Sequence, residues 1–263
     1  MTCIAIDWSG DATAAGQRRK LWCAVARRGK LVDLAAGRTR EELVAELEQR
    51  IRAERELALG FDFCFALPAW HARELGCRAA GDVWRVVEER GEQWLAGPQA
   101  PFWRGKRPAT SSDRSPLRRT EGEGLASRGD KPLSIHQLVG AQVGTGSLRG
   151  MPYLSRLRAA GASIWPFDEP RLPVVVELYP RVFTGAVRKR DANARALALQ
   201  QRWSRAELPD AWRALACAGD DAFDAAVSAL GMSKAAREFV RLRGARDEVE
   251  ALEGRIFRPA QRG

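Results

Sequence analysis

Three apolar runs in this chain each carry one acidic residue at or near their end, and no other feature limits the fold as much. Cys3 to Ile6 leads into Asp7, Leu57 to Phe63 holds Asp62, and Pro173-Val174-Val175-Val176-Glu177-Leu178-Tyr179-Pro180 holds Glu177. Burying a carboxylate is costly unless it is paired or bound to metal. In an open α/β sheet the carboxyl ends of parallel strands line the functional crevice, and Asp7 and Glu177 would open onto that edge.

The intervening pattern sets the order of elements. After Asp7, Trp8-Ser9-Gly10-Asp11 signals a turn, and the apolar runs Leu21 to Ala26 and Leu31 to Leu34 flank Arg27-Arg28-Gly29-Lys30, which reads as a hairpin. Thr39 caps a helix in which Leu43, Val44, Leu47 and Ile51 recur at helical spacing. Strand, strand, strand, helix, strand is the opening of an RNase H-like α/β fold. The expectation is a mixed five-stranded sheet flanked by helices, built from residues 1–63 and 173–263. Residues 64–172 read as an insertion within a single domain. Pro68 to Leu75 and Ala80 to Leu95 read as helices, and Gly97 to Met151 has the composition of a long loop. That loop holds nine Lys or Arg against four Asp or Glu. Tyr153 to Ala160 reads as a short helix and Ser163 to Phe167 as a strand. Past the last apolar run, Asp191 to Trp203, Ala206 to Cys217 and Ala222 to Leu230 read as helices, the third closed by Gly231. Ser233 caps a further helix towards Arg243, and Asp247 to Gly254 reads as a helical turn.

Asp221 and Asp224 stand three residues apart at a helix start, so they share one face. Capping accounts for acids in the first turn, but Asp224 lies one turn in, beside an Ala-rich face. Gathering Asp7, Asp62, Glu177, Asp221 and Asp224 makes chemical sense if cations sit between them. Two bare charges about 4 Å apart repel by roughly 4 kcal/mol at an effective dielectric near 20. Mg²⁺ or Mn²⁺ removes that penalty and prefers oxygen ligands. Paired ions of this kind support phosphodiester cleavage. The expected metal ligands are Asp7, Asp62, Glu177 and Asp224, with Asp221 supporting. The competing reading pairs each acid with one of the many arginines.

The net charge of +10 favours a polyanionic partner, nucleic acid above all. The N-terminus lacks the pattern of a signal peptide, no stretch approaches the apolar length of a membrane span, and the five cysteines read as reduced thiols. A cytoplasmic protein with no membrane partner is the expectation. With two histidines, His71 and His136, there is little material for a zinc site.

Ile6-Asp7-Trp8-Ser9-Gly10, Gly60-Phe61-Asp62-Phe63, Gln99-Ala100-Pro101-Phe102-Trp103, Gln142-Val143-Gly144-Thr145-Gly146-Ser147, Trp165-Pro166-Phe167-Asp168, Val176-Glu177-Leu178-Tyr179-Pro180 and Asp221-Ala222-Phe223-Asp224-Ala225 occur in an order that resembles one family. It is the family called domain of unknown function 429, described as predicted RNase H-like nucleases. The resemblance spans nearly the whole chain, to about Phe257. It implies that Asp7 matches the first-strand aspartate of RNase H-like nucleases. It also implies that Asp221 and Asp224 match the D-x-x-D pair that Holliday-junction resolvases of this superfamily carry on their last core helix. Asp62 or Glu177 would be the remaining ligand. Many members have proline where Cys64 stands, which should alter the turn after Asp62 but not the acid.

The insertion offers further candidates. Val143-Gly144-Thr145-Gly146-Ser147 could cradle phosphate with backbone N–H groups, flanked by Lys131, His136, Gln137 and Arg149. It is not a Walker A loop, and an ordinary glycine-rich turn is the alternative. Phe102-Trp103-Arg104-Gly105-Lys106-Arg107 interleaves aromatic and basic residues as single-stranded nucleic acid would require, although Trp103 could instead anchor the loop. Arg118-Arg119-Thr120-Glu121 could add a phosphate contact, and His136 is a candidate general base, with a hydrogen-bonded structural histidine as the alternative. These readings lead to a metal-dependent phosphodiester hydrolase acting on nucleic acid. The alternatives are a non-catalytic nucleic-acid-binding protein, or a phosphotransferase of the actin and sugar-kinase type, for which Trp8-Ser9-Gly10 is a poor phosphate loop.

Overall fold

Alternation along the first strand divides the molecule into layers. The structure, a computed structural model, describes residues 1–105, 114–126, 130–138 and 143–260. Six strands form one sheet: β1 (Thr2–Asp7), β2 (Trp22–Arg27), β3 (Lys30–Ala35), β4 (Leu57–Phe61), β5 (Ser163–Ile164) and β6 (Val174–Glu177). Their order is β3-β2-β1-β4-β6-β5. Strand β2 pairs antiparallel with β1 and β3, whereas β1–β4, β4–β6 and β5–β6 are parallel. The α/β class is as expected. The sheet has six strands rather than five, because the two-residue edge strand β5 joins it from within residues 64–172.

Ile4 and Ile6 of β1 point to one face with Val25, Leu59, Phe61 and Val175. Cys3 and Ala5 point to the other with Ala24, Ala26, Ala58, Val174 and Val176. Both faces are covered, so the inner strands read as continuous apolar runs. The large-residue face is packed by α2 (Arg40–Ala53), α3 (Ala69–Glu74), α4 (Ala80–Ala96) and α6 (Val143–Ala159). The small-residue face is packed by α7 (Arg181–Thr184), α8 (Ala192–Arg202), α9 (Asp210–Ala218) and α10 (Asp220–Lys234). Short helices α1 (Ala14–Lys20), α5 (Arg119–Gly122), α11 (Ala236–Phe239) and α12 (Glu248–Glu253) complete the chain. Alanine and cysteine on the sheet meet Ala222, Ala225, Ala226 and Ala229 on α10. Small side chains on both partners let this helix approach closely, and that sets where its acids fall.

Helix α2 forms where expected, with Thr39 and Glu42 completing a reciprocal capping box. Other boundaries differ. Helix α1 follows Asp11, with Thr13 as its cap, where only a turn was expected. Gly231 does not end α10, which continues to Lys234; the oxygen of Ser233 accepts the Gly29 N–H instead of capping a new helix.

The largest correction concerns the expected loop. Helix α6 starts at Val143, absorbs the glycine-rich run and includes Pro152. Its glycines serve packing, not turning. A Cβ at Gly150 would sit 2.8 Å from the Phe63 ring, and one at Gly144 would sit 2.4 Å from the Ile135 carbonyl oxygen. Residues 64–172 therefore supply most of one helical layer and share its core with the sheet.

Candidate active site

Strand parity decides which acids meet. In β1, Ile4 and Ile6 face the α6 side, so Asp7 turns to the α10 side. Ile6 pairs with Phe61 in parallel register, which sets Asp62 beside Asp7 just past the end of β4. Asp62 is held there by the Trp8 N–H, which donates to its Oδ1 at 2.6 Å. Helix α10 crosses this end of the sheet and brings Asp224, 6% exposed, with half-buried Asp221 one turn earlier.

Burial and mutual repulsion mark the group. Asp7 is held well above the ordinary carboxylate range, first by burial and then by Asp62, Asp224 and Asp221. Asp62 is pushed up from 3.8 to about 7, mainly by burial and then by Asp224, while the Trp8 N–H and Lys189 pull it down. Asp224 is pushed up to about 6 by burial, against the opposing pull of Lys189. Asp221 is raised by burial and by Asp220. Lys189, in the segment between α7 and α8, forms an ion pair with Asp224 Oδ2. Asp224 Oδ1 is buried without a hydrogen-bond partner. Asp62 and Asp224 line a cavity of about 580 Å³ together with Glu177, Lys131, Arg181, Lys189 and Arg190.

Glu177 lines the same cavity, but its carboxylate is held by Arg118 rather than set beside the aspartates. It pairs in register with Phe61, not Asp62, and so shares the parity of Val175 on the opposite face. Its Oε2 accepts from Arg118 Nη1 at 2.8 Å and from the Phe65 N–H at 2.9 Å, and its Oε1 accepts from Arg118 Nη2. Arg118 also binds Glu121 through Nη2 at 2.7 Å, and Cys64 Sγ donates to Glu121 at 3.3 Å. Ligand atoms of Cys64, Glu121 and Glu177 lie within 4.8 Å of one another, as in a metal site, but a fully buried guanidinium already supplies their cation. The arginine-pairing reading thus describes Glu177, and the clustering reading describes Asp7, Asp62, Asp221 and Asp224.

The expected phosphate contacts scatter. Gly144, Thr145, Gly146 and Ser147 form the first turn of α6, where Ser147 is buried, donates to the Val143 carbonyl and accepts the Cys64 N–H at 2.8 Å. Gly146 and Val143 border the acidic cavity. Trp103 is 7% exposed and bridged to Gln137, which closes its ring to a base and makes it an anchor. Arg104 donates to the Leu95 carbonyl, and Gln137 to that of Gly105. Arg149 pairs with Glu92 and donates to the Gly10 carbonyl. His136 is fully buried against His71, with ring nitrogens 2.9 Å apart, and does not line the acidic cavity. Arg119 pairs with Asp247, while Lys131 reaches the acidic cavity. Lys106 and Arg107 lie outside the described residues.

Lys189 and the Trp8 N–H were not anticipated from the sequence, and Arg118, a candidate phosphate contact, is instead the cation of Glu121 and Glu177. The run Arg188-Lys189-Arg190 between Glu177 and the paired aspartates was a usable signal for the first. Among the described residues no helix is long and apolar enough to cross a membrane. Compared with models of known families, with curated proteins and with solved structures, the chain matches none.

Proposed function

We propose that the protein is a metal-dependent phosphodiester hydrolase acting on nucleic acid, with Asp7, Asp62 and Asp224 as ligands of Mg²⁺ or Mn²⁺ and Asp221 in support. The convergence of three carboxylates with raised pKa values at the ends of β1 and β4 and on α10 carries the reading. The order β3-β2-β1-β4-β6, with β2 running against the rest, supports an RNase H-like core extended by β5. It also fits the resemblance to domain of unknown function 429. The donors suit such ions: all are carboxylate oxygens, and Asp224 Oδ1 is a buried acceptor with nothing donating to it.

When bound, the metal would supply charge neutralisation and activation of water at the phosphodiester. The chain's own groups do the remaining work. The Trp8 N–H fixes one oxygen of Asp62 and leaves the other to turn inward. Lys131, Arg181, Lys189 and Arg190 line the same cavity as Asp62 and Asp224 and attract the phosphate. Trp8 packs against Phe61, Phe63 and Tyr153, so this wall of the site is rigid.

The test is Mn²⁺ calorimetry followed by cleavage assays on DNA and RNA. Asp7→Asn and Asp224→Asn should each lose binding and turnover while staying folded. Glu177→Gln, whose carboxylate belongs to Arg118, should keep Mn²⁺ binding. Unchanged turnover in both aspartate variants would sink the proposal. One observation favours a second reading, a nucleic-acid-binding protein without catalysis: Lys189 already neutralises Asp224 from within the chain. That protein would bind nucleic acid in a salt-dependent way that ignores the aspartate substitutions.

A further inference from the structure

A second cavity, of about 790 Å³, opens on the far side of the C-terminal segment. Arg119, Arg241, Arg243, Arg246, Arg255 and Arg258 line it, against three glutamates. One of these, Glu250, is 2% exposed and shared by Arg119, Arg246 and Arg255. Three guanidinium groups around one buried carboxylate leave positive charge uncompensated, even with Asp247 also on Arg119. Arg241 and Arg243 are exposed and have no acidic partner among the described residues. Arg255 lies over the Trp165 ring, 4.5 Å from its centroid, so that guanidinium is held in place.

This cavity adjoins the acidic one. Ile256 lines both, on a segment bridged to β6 at Glu177. Asp130 links them as well: it pairs with Arg181, which lines the acidic cavity, at 3.0 Å, and with Arg258, which lines the arginine cavity, at 3.9 Å. Basic side chains therefore run from one cavity to the other. Trp165 is buried under Arg255, so no ring here is offered to a base.

We propose that the arginine cavity is a second phosphate-binding site, which grips the sugar-phosphate backbone of the strand whose reacting bond lies at Asp7, Asp62 and Asp224. This rests on the nucleic-acid reading above and adds where the strand leaves the acidic site. Guanidinium groups recognise phosphate oxygens in bidentate fashion whatever the base, so binding here is independent of sequence.

The experiment uses the full chain in EDTA, with short fluorescein-labelled single-stranded DNA and RNA, read by anisotropy across a salt series. Arg241→Gln/Arg243→Gln breaks no ion pair and should keep the wild-type melting temperature. For two lost phosphate contacts, its plot of log affinity against log salt should flatten by about 1.4, at about 0.7 per contact. Binding should weaken roughly tenfold at moderate salt on both strands. Arg52→Gln, at an exposed arginine of α2 that lines neither cavity, should keep the wild-type slope. Oligonucleotide binding with an unchanged slope in the arginine variant would overturn the cavity proposal and leave the nuclease reading standing. Failure of the wild type to bind either strand would overturn the cavity proposal and leave the nuclease reading to the Mn²⁺ and cleavage assays. Arginine-dependent binding to phosphatidylserine vesicles in place of oligonucleotides would overturn the proposal in favour of a membrane surface.

Discussion

Replacing Asp62 by asparagine should stabilise the metal-free protein at alkaline pH, and the size follows from the site. The Asp62 carboxyl titrates at about 7 in the fold, against 3.8 for an ordinary aspartate. At 1.36 kcal/mol per pKa unit, keeping it ionised above neutrality costs on the order of 4 kcal/mol. Asparagine keeps an oxygen for the Trp8 N–H but must bury an amide and gives up the attraction of Lys189. The recovered stability is therefore roughly 2–4 kcal/mol, or about 5–10 °C in melting temperature for a chain of this length. The sign with pH is fixed by the direction of the shift. Between pH 4 and 7 the folded state holds a proton that the unfolded state releases. The stability contributed by this carboxyl is complete below about pH 4 and is lost as pH rises through about 7. Thermal melts in EDTA should show Asp62→Asn well above wild type near pH 8, with the gap closing towards pH 4. Mn²⁺ should raise the wild type and leave the variant nearly unmoved. Equal melting temperatures near pH 8, or a gap that persists near pH 4, would show that the Asp62 carboxyl is not held up by its burial.

Arg118→Met would leave Glu121 and Glu177 buried without their cation, and should cost about 3–5 kcal/mol in a urea titration; an unchanged midpoint would exclude the buried network as a stabilising unit. A Cβ at Gly10 would meet the Gly146 backbone nitrogen at 2.7 Å, so Gly10→Ala should cost roughly 1–3 kcal/mol by forcing the β1 turn from α6. Gly97→Ala, which meets nothing within 4 Å, should stay within about 0.5 kcal/mol of wild type and serves as its control. Lys189→Met removes the internal competitor for Asp224 and should tighten Mn²⁺ binding roughly tenfold by calorimetry, a gain of about 1.4 kcal/mol; weaker binding would show that the lysine supports the site rather than competing for it.

Local chemistry made part of this molecule legible in advance. The Thr39–Glu42 capping box, the Arg28-Gly29 hairpin turn and the apolar strands ending in acids are written within a few residues each, so the order of elements could be read along the chain. The pair Asp221 and Asp224 stood out because helical spacing alone puts them on one face. Parity was hidden. Val174, Val175 and Val176 are all buried, because the sheet is covered on both faces, and an unbroken apolar run does not say which way Glu177 points. Only the register with β4 turned Glu177 towards Arg118 and left Asp62 to Asp7. The run Gly144 to Gly150 misled for a related reason: glycine marks a turn when it stands alone and a close contact when another element presses on it, as Ile135 and Phe63 press on α6. Lys189 and the arginine cavity join segments far apart in the chain, and only folding brings them together.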